Sequence, residues 1–168
     1  VARYLAERGG ARHIALWARS AIPPRHSWPG LTAEEPPHFE TVTAIIDIER
    51  LGAHVTTASI DIADPPEQVS AWLRDHARGG GRSVRGIIHA AGSVNDQLLV
   101  NISEEDFIAV MAPKVTGARV LHDAVKDHQL DFFVMFGSAG STIASPGGQG
   151  NYAAANAFLD AFAHYRRE

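Results

Sequence analysis

The sequence contains no cysteine. Disulfides, thiolate nucleophiles and zinc–cysteine sites are therefore excluded. A reducing, cytoplasmic setting is compatible with that composition. Long apolar runs are missing too. A membrane-spanning helix needs about 18 or more of them in a row, so no span is expected. There is no surplus of positive charge: 15 Lys and Arg face 19 Asp and Glu, a formal net charge of −4. Nucleic-acid surfaces need a basic stripe, so neither DNA nor RNA is an expected partner. The nine histidines are scattered, without HExxH or a similar ligand spacing, and no metal site is expected. The opening "VARYLAERGG" is charged and helical in pattern, unlike a signal peptide. What is present is ordinary for a globular protein: 45% hydrophobic and 20% charged residues. With 168 residues the chain can build one domain with a sizeable core. No repeat or interdomain linker divides it, so residues 1–168 are read as one domain.

A pass along the chain gives a regular alternation. Residues 1–8 read as the tail of a helix closed by Gly9 and Gly10. "HIALWAR" (13–19) is a short apolar strand. Residues 20–40 hold most of the prolines and no periodicity, and read as a long surface loop, with a Pro-rich insertion at about 22–40. "TVTAIIDIERLG" (41–52) is an amphipathic helix, and "HVTTASID" (54–61) a strand. "PPEQVSAWLRDHA" is a helix with prolines in its first turn, where a missing N–H costs nothing. "VRGIIHAAG" runs as a strand into Gly92, a helix covers about 104–126, and "DFFVMF" is an apolar strand. A final helix begins near Tyr152. Such alternation predicts right-handed βαβ units. The fold class is α/β: a Rossmann-like, doubly wound parallel sheet with helices on both faces. The chain starts inside a helix and ends on one, so the fold is expected to be truncated at both ends.

In parallel α/β sheets, ligands bind beyond the carboxyl ends of the strands. Those ends carry Arg19 and Ser20, then Asp61, then Ala91 and Gly92, then Ser138. Small residues there let backbone approach a cofactor closely. "GGQGNYAAANAFLD" (147–160) then sets Tyr152 and Asn156 four apart, on one helix face. A phenol can protonate a carbonyl oxygen as hydride reaches the carbon. Its reference pKa is near 10, so a nearby cation is needed, and Lys114 can supply it. Ser138 can hold the ketone oxygen. His89 reads as a packed side chain, and Asp61 reads equally as the N-cap of the next helix.

Together these residues resemble the short-chain dehydrogenase/reductases, and more closely the ketoreductase domains of modular polyketide synthases and animal-type fatty acid synthases. The motifs are "RS" (19–20), "HAAG" (89–92), "APKVTGA" (112–118), "FGS" (136–138) and "SPGGQGNYAAANAFLDA" (145–161). Asn156 stands where most of the superfamily has lysine, and the lysine lies upstream at Lys114, an exchange characteristic of the synthase ketoreductases. The resemblance implies a catalytic tetrad of Tyr152, Ser138, Lys114 and Asn156. The longer loop before Tyr152, with its doubled glycine, leaves Ser141 as the alternative serine. Arg19 and Ser20 would meet the 2′-phosphate of NADPH, Asp61 and Ile62 the adenine, and Ala90, Ala91 and Gly92 the ribose. "VND" (94–96) stands where B-type, D-hydroxyl-forming members have "LDD", which makes Asp96 the stereochemical marker. The implied reaction is NADPH-dependent reduction of a β-ketoacyl thioester on an acyl carrier protein. The implied partners are that carrier and the other domains of a synthase. The glycine-rich phosphate loop is expected before Val1 and a substrate lid after Glu168, so the piece alone is expected to be weakly active or inactive. The alternatives are a non-catalytic structural module of the same fold and a free-standing 3-oxoacyl-carrier-protein reductase.

Overall fold

A computed structural model describes residues 1–34, 36–63, 67–143 and 147–167. Two features read from the sequence lie outside them: the prolines at 65–66, and the start of the "SPGGQG" stretch. The order is α1 (Ala2–Glu7), β1 (His13–Ala18), a 3-10 turn (Arg25–Gly30), α2 (Pro36–Arg50), β2 (His54–Ser59) and α3 (Glu67–Arg78). It continues with β3 (Gly86–His89), a 3-10 turn (Leu99–Asn101), α4 (Glu104–Val125), β4 (Phe132–Met135), a 3-10 turn (Ala139–Ser141) and α5 (Gly150–Tyr165). The chain divides into two compact units, Val1–Asp61 and Ile62–Glu168.

In the first unit β1 and β2 pair in parallel, from His13 opposite His54 to Ala18 opposite Ser59. Parallel neighbours need a crossover, and α2 provides it. Ile45 and Ile48 of α2 bury against Val55, Ala53 and Ala6, with Ile14 and Leu16 packed around them. The Pro-rich stretch is more ordered than its composition suggested. Trp28 packs on this core and donates from Nε1 to the Pro23 carbonyl at 2.7 Å. Arg25 holds both carboxylate oxygens of Glu49, at 3.0 and 2.6 Å, and the Val55 carbonyl at 2.8 Å. Helix α2 begins at Pro36, inside the expected loop and five residues before the expected start. A proline in a first helical turn forfeits no intrahelical hydrogen bond, which is why a loop signal conceals a helix start here.

In the second unit β3 and β4 pair in parallel, Gly86 opposite Phe132 through His89 opposite Met135, with α4 as the crossover. Ser103 caps α4, its Oγ accepting from the Asp106 N–H at 3.1 Å, and Glu104, Glu105 and Asp106 oppose the positive end of the helix. Helix α5 packs on α4 through Ala118, Leu159 and Phe162. Gly117 leaves room at this position. A Cβ there would lie 2.6 Å from Cδ1 of Ile62, so the missing side chain lets Ile62 seat against α4.

Candidate active site

The second unit gathers the proposed tetrad from three elements. Lys114 sits in the middle of α4 and is 5% exposed. Its Nζ donates to the carbonyl of Phe136, just past β4, at 2.8 Å. The same ammonium lies 5.9 Å from the centroid of the Tyr152 ring, at the start of α5. That is the outer range of a cation–π contact. The stem of Lys114 passes Gly92, where a Cβ would stand 3.2 Å from Cε. Gly92 therefore makes room for the lysine as well as exposing its own backbone. No ion pair to Lys114 occurs among the described residues. Burial alone lowers its pKa, since desolvation disfavours the charged form.

His89, the last residue of β3, is buried at 3% exposure and bonds the carbonyl of Pro113, the residue before Lys114. Desolvation, and then the charge on Lys114, push its pKa down to about 4. It is neutral at physiological pH and adds no positive charge beside the lysine. It is a packed side chain, as the sequence suggested.

Asn156 is fully buried, one turn beyond Tyr152. Its Nδ2 donates to the Tyr152 carbonyl at 2.7 Å, and its Oδ1 has no partner among the described residues. A buried amide oxygen left unpaired costs free energy, and an acceptor so placed suits a donor from a bound molecule or a water. Ser138 is half-buried two residues beyond the Phe136 carbonyl that holds Lys114. Its Oγ accepts from the Gly140 N–H at 3.2 Å and caps the short turn after β4. The alternative serine, Ser141, shares its hydroxyl proton between Asp160 at 2.6 Å and the Ser138 carbonyl at 2.8 Å. Its hydroxyl is committed to the structure of the loop.

The other expected residues are placed as follows. Ala90, Ala91 and Gly92 are exposed beyond the end of β3 and carry only small side chains or none. Ile62 spends its side chain on Gly117. Asp96 is exposed, and its carboxylate accepts from Gln149 Nε2 at 2.9 Å, three residues before Tyr152. In the first unit Arg19 and Ser20 are exposed beyond the end of β1, and the Arg19 carbonyl accepts from Ser59 Oγ at 2.7 Å. Asp61 lies just past the end of β2.

Three residues escaped the sequence reading. Asn151 is fully buried beside Tyr152, with its Oδ1 accepting from the Tyr152 N–H at 2.8 Å and its Nδ2 donating to the Asn95 carbonyl at 3.1 Å. Gln149 holds Asp96. Ser93 donates to the Ala109 carbonyl at 3.0 Å. That carbonyl lies four residues before Pro113, and proline has no N–H to pair with it. A proline inside an expected helix was a readable signal that some outside donor must serve that carbonyl.

A family model for the KR domain matches residues 1–168. The chain belongs to the KR domain family. It is 42% identical over 159 residues to 6-methylsalicylic acid synthase of Aspergillus niger, covering 94% of this chain and 8% of that protein. It is 40% identical over 168 residues to a phenolphthiocerol/phthiocerol polyketide synthase of Mycobacterium tuberculosis, covering 100% of this chain and 9% of that protein. An N-terminal ketoreductase from the macrolactin assembly line superposes with a TM-score of 0.81 at 31% identity, over 99% of this chain and 30% of that one. The chain thus spans under a tenth of these curated relatives and about a third of the solved ketoreductase. The domain is a ketoreductase domain of the polyketide-synthase type, with the Rossmann-like α/β fold of the solved ones. The family works with a nicotinamide cofactor. Among the described residues no helix is long and apolar enough to cross a membrane.

Proposed function

We propose that this ketoreductase domain reduces a β-ketoacyl thioester, carried by an acyl carrier protein within a polyketide synthase, to the β-hydroxyacyl thioester with NADPH. The observation that carries the proposal is the approach of the buried Lys114 ammonium to the Tyr152 ring. A cation beside a phenol stabilises the phenolate that forms as the proton leaves. When bound, NADPH supplies a hydride to the ketone carbon. Ser138 Oγ donates a hydrogen bond to the ketone oxygen and orients it. Tyr152 Oη gives its proton to that oxygen as negative charge develops there. Lys114 stabilises the phenolate left behind. Asn156 completes the tetrad by fixing the first turn of α5, and its unpaired Oδ1 is available to a donor in the site.

Ala90, Ala91 and Gly92 fit the nicotinamide ribose, because their exposed backbone carries no bulky side chain. Arg19 and Ser20 would meet the 2′-phosphate, where a cation favours NADPH over NADH. Asp61 and Ile62 would lie by the adenine, Ile62 through its backbone. Asp96 is the residue assigned to B-type stereochemistry, giving the D-hydroxyl. Chiral chromatography of the product from a β-ketoacyl surrogate checks that assignment. A D-hydroxyl product supports it, and an L-hydroxyl product removes Asp96 as the marker.

A further inference from the structure

We infer that residues 93–97 form a positioning strap that holds the helix of Lys114 and the helix of Tyr152 in catalytic register. The inference rests on the proposed pairing of those two residues. The strap is tied to α4 at two levels. Ser93 Oγ serves the Ala109 carbonyl that Pro113 leaves without a helical donor. One turn earlier, the Asp106 carboxylate accepts from Asn95 Nδ2 at 2.9 Å and Gln97 Nε2 at 3.2 Å. Gln97 Nε2 also donates to Asn95 Oδ1 at 3.0 Å, which cross-braces the strap. The Ser103 hydroxyl, and then these amides, lower the Asp106 pKa by favouring its charged form.

The other edge of the strap is tied to the start of α5. The buried Asn151 donates to the Asn95 carbonyl at 3.1 Å. The Gln97 N–H donates to the Gly148 carbonyl at 2.9 Å. Gly148 has φ +97, and a Cβ there would lie 3.4 Å from the Gln97 backbone. Glycine permits both the conformation and the close approach. Gln149 adds its bond to Asp96. One short segment therefore fixes α4 at a point two turns before Lys114, about 12 Å along the axis, and fixes α5 at the residue before Tyr152. Neither helix can slide without breaking several of these bonds. A displacement of about 1 Å between reacting groups can cost a hundredfold in rate.

Asp106 and Asn151 are thus positioning residues, acting through Lys114 and Tyr152. The test uses the full-length protein that carries this domain, with NADPH and a soluble β-ketoacyl thioester surrogate. Asp106→Asn removes one acceptor oxygen from the half-buried end of the strap, and Asn151→Ala cuts the buried end. Ser103→Ala is the comparison: it removes the cap of α4 and the Ser103 bond to Asp106 Oδ2 at 2.8 Å, and leaves the bonds from Asn95 and Gln97 to Asp106 in place. Both strap variants are expected to lower kcat by about tenfold or more, with the KM for the surrogate and for NADPH within about twofold. Ser103→Ala is expected to lower Tm and leave kcat alone. If Asn151→Ala does not fold, Asp106→Asn carries the comparison. A kcat for Asp106→Asn equal to that of Ser103→Ala, at matched loss of Tm, overturns the inference. If Tyr152→Phe in the same protein turns over as fast as the parent, the proposed pairing has failed, and that outcome is distinct from failure of the strap.

Discussion

The ammonium of Lys114 lies 5.9 Å from the centre of the Tyr152 ring, and its stem reaches that place by crossing Gly92. The two residues are 38 positions apart in the chain. They meet because α4 and α5 pack side by side and because the Phe136 carbonyl anchors the lysine head at 2.8 Å. The cation is buried and carries no carboxylate partner among the described residues.

Replacing the lysine tests the role of that charge. Lys114→Met keeps the apolar stem and removes the charge. It is expected to lower kcat by about a hundredfold, in the range seen when one preorganised electrostatic group is lost. A kcat equal to that of the parent in steady-state assays contradicts the pairing.

His89 predicts a pH dependence of stability. Its folded pKa, about 4, lies below the unfolded value of 6.5. The unfolded chain therefore binds more protons between those two values. Stability is full above pH 6.5 and is lost as pH falls through that window toward 4. The loss at pH 5 relative to pH 7 is about 2 kcal/mol. Urea melts at the two pH values measure it. His89→Asn, which cannot be protonated in this range, is expected to flatten the difference, and a slope equal to that of the parent contradicts the account.

Gly117 predicts a size constraint. Gly117→Ala places a methyl 2.6 Å from Ile62 Cδ1. The overpacking is expected to cost about 1–3 kcal/mol. Combining it with Ile62→Ala makes room for the methyl, so the double variant is expected to be less destabilised than the sum of the two single variants. Additive costs in thermal melts would place the strain elsewhere.

Much of this architecture was legible in the sequence, and the exceptions have physical reasons. β4 and α4 were readable because an apolar run and a capped periodic segment each leave a local signature. Tyr152, Asn156, Lys114 and Ser138 were singled out in the sequence because their residue types in those motifs fit one chemistry, and the structure sets the Lys114 ammonium 5.9 Å from the Tyr152 ring. The start of α2 was not, because Pro36 and Pro37 signal a loop and are equally at home in a first helical turn. Asn151 was missed for a different reason. Its partner Asn95 is 56 positions away, and a hydrogen bond between two distant segments has no period. The bond from Ser93 to Ala109 lay between these cases, announced by Pro113 but without its donor.

The central claim is that Tyr152 protonates the ketone oxygen. Its most direct test is NADPH consumption by the full-length protein with a β-ketoacyl thioester surrogate, comparing the parent with Tyr152→Phe. Removing only the phenol oxygen is expected to lower kcat by about 10²–10⁴-fold, the usual contribution of a general acid, with Tm unchanged. Turnover by Tyr152→Phe at the parent rate would contradict the account.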